Sequence, residues 1–308
     1  TVMSCDNIQA NGDLTRSMCI AFARRVDEEL ADWISEHVAF PNSMVDRITP
    51  VTTTDDIEEI SGRLGMADGW PVVCEPYFQW VLEDDFSLGR PPFEEVGVQL
   101  VEDVEPYELM KLRLLNASHQ ALAYFGYLMG YRLVHEAVGD PLIETLLRRY
   151  MKEEARPTLR PVDGVNLDTY CDTLIQRFTN SEVKDTVARL CQEASDRIPK
   201  WLVPVIRERL DAGCRAPLSA AVVASWARYS DGVDEQGEQI EIVDYLVPRL
   251  AERAKQQHED PLAFVKDTTL FGGLADDERF SEDYLTTLHS LWDTGARTTL
   301  ARLLDLPA

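Results

Sequence analysis

An α/β segment over residues 1–101 followed by a larger all-helical domain over residues 102–308 is the fold class this 308-residue sequence predicts. Short β-like runs accompany one amphipathic helix in the first third of the chain. From Pro106 onward helical stretches follow one another, each punctuated by Pro, Gly or an Asx cap. With 45% apolar residues the composition is that of a globular protein long enough to bury a core.

The elements read in order as follows. Val2-Met3-Ser4-Cys5 reads as the end of a strand, followed by Asp6-Asn7 and a turn at Asn11-Gly12. Asp13 can cap a long helix whose apolar positions are Leu14, Met18, Phe22 and Val26, continuing toward Trp33 and Val38. The runs 71–74, 79–82 and 97–101 read as strands, separated by Pro and Gly. Helices are expected over 106–129, 141–152, 167–178, 183–194, 198–210, 217–229 and the last thirty residues. No run of eighteen apolar residues predicts a membrane span. The first residue is not methionine and no secretory signal is evident, so an upstream segment and a cytoplasmic location are expected.

Charge narrows the partners. Thirty basic residues face 54 acidic ones, a net −24, and such a surface repels phosphate backbones and anionic lipid. Nucleic-acid and membrane partners are therefore not expected. The six cysteines are scattered, with no CxxC pair, and the five histidines do not cluster at ligand spacing. No metal site is predicted, and the thiols are expected to be buried and reduced.

The chemistry concentrates in one predicted helix, from Glu105 to His119. At about 100° per residue, Lys111 and His119 lie about 80° apart, with Asn116 one turn before His119 and Glu108 one turn before Lys111. A lysine, an amide, an imidazole and a carboxylate thus share one side. A solvated polar stripe is the plain alternative. Against it, residues 121–128 are apolar nearly all round, as in a buried helix. Only six of the thirty basic residues are lysines, and lysine, unlike arginine, can give up its proton when desolvated.

The spacing K-x4-N-x2-H at Lys111, Asn116 and His119 resembles the signature of the polyol-specific long-chain dehydrogenases. Residues 4–8 with Asn11-Gly12, residues 40–50, and the run from Trp70 to Asp84 resemble the same family, in family order and over essentially the whole chain. The resemblance implies a partial Rossmann-type cofactor domain followed by the helical substrate domain. It implies metal-independent hydride transfer between a polyol and its ketose, mannitol and fructose in the branch that matches best. NAD is the expected cofactor, NADP not being excluded, and a monomer is expected. Arabinitol oxidation and keto-uronate reduction are alternatives within the family. A non-catalytic binding protein with a vestigial cofactor domain is the alternative outside it. Its support is that no GxGxxG turn occurs in the chain, which places the first half of the cofactor domain elsewhere.

By the same resemblance Lys111 is the general base, and Asn7 and Asn116 donate hydrogen bonds to the developing alkoxide. Glu108 relays protons, which offsets its opposing effect on Lys111 as a nearby carboxylate. His119, Arg189 and Asp46 bind substrate, and Asn7 and Asp46 also border the cofactor. Read alone, Asn7 fits an Asx turn with Asp6, and Asp46 an ion pair with Arg47 or a turn before Pro50. His119 alone fits a satisfied core residue, and Arg189 a surface arginine.

Overall fold

The computed structural model describes residues 1–307, which divide into two compact units, Thr1–Lys111 and the chain from Leu112 onward. The first unit is α/β. Strands β1 (Ser43–Asp46), β2 (Gln79–Glu83) and β3 (Gln99–Val101) form one sheet in that order. β1 runs antiparallel to β2 with Met44 opposite Val81, and β3 runs parallel to β2 with Leu82 opposite Leu100. Phe40, Met44, Val81, Leu82, Val98, Val104 and Met110 are among the buried apolar residues of this unit.

Several expectations are corrected in this unit. Residues 2–5 form no strand: Val2 donates one backbone bond to Ala39, and one bond does not make a ladder. Asn11-Gly12 is not a turn but the first two residues of the helix Asn11–Ala23, entered from Ala10 in the left-handed region. That helix stops before Asp27, whose carboxylate caps a second one, Glu28–His37. Leu14, Met18, Phe22 and Val26 are exposed. The helix is held at its N-terminus instead, where the Asn42 side chain accepts the Gly12 and Asp13 N–H groups at 2.9 and 3.1 Å. The run 71–74 is irregular, and an unforeseen helix, Thr54–Leu64, starts in a capping box between Thr53 and Asp56.

The second unit is helical. Ala117–Leu128 and Pro217–Tyr229 are buried on nearly every side, and both pack against the long helix Glu278–Leu304, which kinks at Gly295. Trp226 contacts Tyr124, Phe264 and Phe271 in the core. Two helical stretches widen into π turns, at Lys111–Asn116 and Tyr150–Ala155. The helix expected over 183–194 shrinks to Val187–Cys191. Backbone bonds from Val134 to Asp185 and from Val187 to Arg132 hold the preceding residues extended, and Glu193 turns into the left-handed region. The helix expected over 198–210 is two, Ala194–Trp201 and Val203–Asp211; Pro204, lacking an N–H, cannot donate back across the junction to Lys200. Val134–Val138, Val247–Gln256 and Thr268–Phe271 are further helices. The architecture is the α/β-then-helical one foreseen. Among the described residues no helix is long and apolar enough to cross a membrane.

Candidate active site

Lys111 closes the first unit and is 6% exposed, which rules out a solvated stripe. Its Nζ donates to the Asn7 side-chain oxygen at 2.7 Å and to the Val45 carbonyl at 2.6 Å. Two distant stretches of sequence, residues 4–8 and 40–50, therefore meet at one nitrogen. Asp46, the buried last residue of β1, follows Val45 directly. The neighbouring Arg47 donates to the carbonyls of Tyr77 and Pro76.

Asn7 sits on a loop without regular structure, so its position depends on local fastenings. The Asp6 carboxylate accepts the Asn7 N–H at 2.9 Å, a contact to the next residue rather than the i+2 bond of an Asx turn, and this coexists with the lysine contact. Asn11 is the main clasp. Its amide nitrogen donates to the Asp6 carbonyl at 2.9 Å and the Ser43 carbonyl at 2.8 Å, while its oxygen accepts the Ser43 N–H at 2.9 Å. Gly12 lies against Phe40 and Pro41 so closely that a Cβ there would collide with the Phe40 carbonyl oxygen. The clasp ties the Asn7 loop to the strand that carries Val45.

Glu108 is 6% exposed, and its carboxylate accepts the Ala10 N–H at 3.1 and 3.3 Å. Burial pushes its pKa up to about 7. The Ala10 N–H opposes that rise, and the carboxylates of Glu83, Glu105 and Asp103 add to it. A group balanced between acid and carboxylate near neutrality can pass a proton in either direction.

The helix continues through the π segment into the second unit. Asn116, 4% exposed, ends that segment, and its side-chain nitrogen has no hydrogen-bond partner among the described residues. A buried donor left unpaired is costly and points to an acceptor that binds there. His119 is half-buried with its ring against Phe178, centroids 4.7 Å apart. Arg189 is no ordinary surface arginine, since its guanidinium binds the buried Asp185 through both Nε and Nη2. Its helix packs on Ala117–Leu128, where the Gln120 side chain donates to the Leu190 carbonyl at 3.2 Å.

Asn7, Glu108 and Lys111 are thus brought together in the first unit, with Asp46 next in chain to the Val45 carbonyl; Asn116, His119 and Arg189 belong to the second. Missed from sequence were the Val45 carbonyl, the Ala10 N–H and the clasp residues Asn11 and Asn42. Backbone groups leave no residue-type signal, whereas the Asn-Gly and Asn-Ser pairs stood inside the stretches already singled out. The thiols are corrected too: Cys191 alone of the six is buried, Cys5 and Cys74 being exposed. Among the described residues no group of three or more His, Cys, Asp or Glu is placed to hold a metal ion.

Residues 1–95 match the mannitol dehydrogenase Rossmann domain and residues 103–292 the mannitol dehydrogenase C-terminal domain. The chain belongs to the mannitol dehydrogenase family. Within that family it is 46% identical to the mannitol 2-dehydrogenase of Phaeosphaeria nodorum, over 98% of this chain and 53% of the relative. It is 45% identical to that of Neosartorya fischeri, over 99% of this chain and 62% of the relative. The structure of Pseudomonas fluorescens mannitol 2-dehydrogenase, a ternary complex with NAD and D-mannitol, superposes with a TM-score of 0.89 at 44% identity, covering 99% of this chain and 62% of that one. A D-sorbitol dehydrogenase in substrate-free form gives the same TM-score at 32% identity. The chain thus spans between about half and three-fifths of the length of these relatives.

Proposed function

We propose that the protein is an NAD-dependent polyol dehydrogenase that interconverts mannitol and fructose without a metal, with Lys111 as the general acid/base. The observation that carries this reading is the buried Lys111 amine fastened to Asn7 and to the Val45 carbonyl beside Asp46. Residues 1–101 would contribute to the cofactor domain and residues 102–308 would bind substrate.

Asp46, at the end of β1, suits the nicotinamide end of the cofactor, since α/β sheets receive ligands at strand ends, and Asn7 is brought to the same place by the Lys111 amine that binds it and the Val45 carbonyl. When bound, the nicotinamide supplies the hydride acceptor. The chain's own residues handle the proton. Lys111 takes the hydroxyl proton of the secondary alcohol during oxidation and returns it to the alkoxide in reduction. The Asn116 amide, unpaired among the described residues, and the Asn7 amide would each donate to the oxygen as negative charge develops on it. Glu108, with its pKa near 7, passes the proton on toward solvent.

His119 would donate to or accept from a further hydroxyl, and Arg189 would meet the distal end of the substrate. The Asp185 carboxylate already neutralises Arg189. That pairing favours a neutral polyol over a keto-uronate, whose carboxylate needs an uncommitted cation. Lys111→Ala in the full gene product should abolish most mannitol oxidation while NAD binding persists, and added methylamine should restore part of it. Undiminished turnover in that variant sinks the base assignment. Turnover compared across mannitol, arabinitol and fructuronate tests the substrate.

A further inference from the structure

The two π turns are joined by one hydrogen bond. A π turn pairs each N–H with the carbonyl five residues back, so its junction with α-helix passes over a carbonyl. Inside the first π segment, Lys111–Asn116, the Arg113 carbonyl accepts a hydrogen bond from the Tyr150 hydroxyl at 2.9 Å. Tyr150 is fully buried and opens the second π segment, Tyr150–Ala155. Burial pushes its phenol well above the ordinary range, so it remains a donor at any working pH.

The same residue is held by its side chain. The Arg113 guanidinium donates to both oxygens of Glu208 at 2.8 and 2.6 Å and to the Thr158 carbonyl at 2.6 Å. The wide turn is therefore gripped from outside at Arg113, through backbone and side chain together.

What the turn decides is the direction of Asn116. In α geometry, residues five apart stand about 140° apart around the helix. In π geometry residues five apart are paired through the backbone, so Asn116 comes onto the face of the residue that opens the segment. Its side-chain nitrogen is a buried donor without a partner among the described residues. We propose that Tyr150 is a positioning residue for Asn116: its hydroxyl holds the π turn open, and without it the segment relaxes toward α register and turns the amide away. This rests on the dehydrogenase reading above, in which Asn116 donates to the reacting oxygen.

Tyr150→Phe keeps the ring and removes only the donor. In the full gene product, kcat for mannitol oxidation should fall at least tenfold with the NAD dissociation constant unchanged. Backbone amide exchange over residues 112–117 should accelerate at least tenfold. Gln257→Leu serves as the control for general destabilisation, since it removes buried bonds to the Ala227 carbonyl and Asp231 elsewhere in the helical unit. It should lower the thermal midpoint with kcat and the exchange of 112–117 unchanged. Unaltered exchange in Tyr150→Phe overturns the hold on the turn. Faster exchange with kcat within twofold of the parent overturns the positioning role. A parent protein that oxidises no polyol removes the dehydrogenase reading and that role with it, while the exchange result still decides whether Tyr150 holds the turn.

Discussion

Glu108 gives the most direct quantitative test, through Glu108→Gln. The side chain keeps its shape and an oxygen for the Ala10 N–H, and loses its ionisation. In the folded protein the carboxyl titrates at about 7, against an ordinary value of 4.5. At 1.36 kcal/mol per pH unit, that difference is worth about 3 kcal/mol. A carboxyl whose pKa is raised by folding favours the native state while protonated. Its contribution is fully present below pH 4.5 and is lost as the pH rises through about 7. The parent should therefore lose about 3 kcal/mol relative to Glu108→Gln between pH 4.5 and pH 8, the gap opening mostly between pH 4.5 and 7 and levelling off above that. Urea unfolding of both proteins at half-unit pH steps measures the difference directly. A gap between parent and variant that does not change with pH would refute a buried carboxyl whose pKa folding raises. In turnover, the variant should lose an inflection near pH 7 from the profile of mannitol oxidation.

Asn116→Ala should slow turnover by about two to three orders of magnitude, as expected for one lost donor to the reacting oxygen. Its thermal midpoint should barely move, because the amide nitrogen it removes has no partner to lose. Asn11→Ala strips three clasping bonds from a buried site and should cost roughly 2–4 kcal/mol by chemical denaturation, with the Lys111–Asn7 contact loosened and kcat lowered. Gly12→Ala drives a methyl into the Phe40–Pro41 backbone and should destabilise the first unit by more than about 3 kcal/mol, read by circular dichroism on heating. Chelator treatment should leave activity intact; loss of turnover restored by added zinc contradicts the metal-free proposal.

Length, periodicity and Pro/Gly punctuation determined the order of classes, α/β then helical, because both depend on local pattern. The K-x4-N-x2-H spacing marked Lys111, Asn116 and His119, and the apolar run after them foretold the burial of their helix. The same local logic failed wherever partners at long range decide. Residues 2–5 have strand-like composition but no ladder, and the Leu14–Phe22 stripe has the period of a buried face yet lies exposed. The run 183–194 reads as helix, but pairing with residues 132–134 pulls its first half extended.

The site divides in the same way. Residue types that do chemistry were legible as letters. That Lys111 meets the Val45 carbonyl, or that Asn11 clasps Ser43, depends on chain segments brought together across 66 and 32 residues. The π turn shows the limit most clearly. A sequence read at 100° per residue assigns Asn116 one direction, and a hydroxyl on Tyr150, 37 residues from Arg113, accompanies another. Sequence by itself determined which groups are available; the tertiary structure decided which way they point, because direction is set by hydrogen-bond partners that no local pattern encodes.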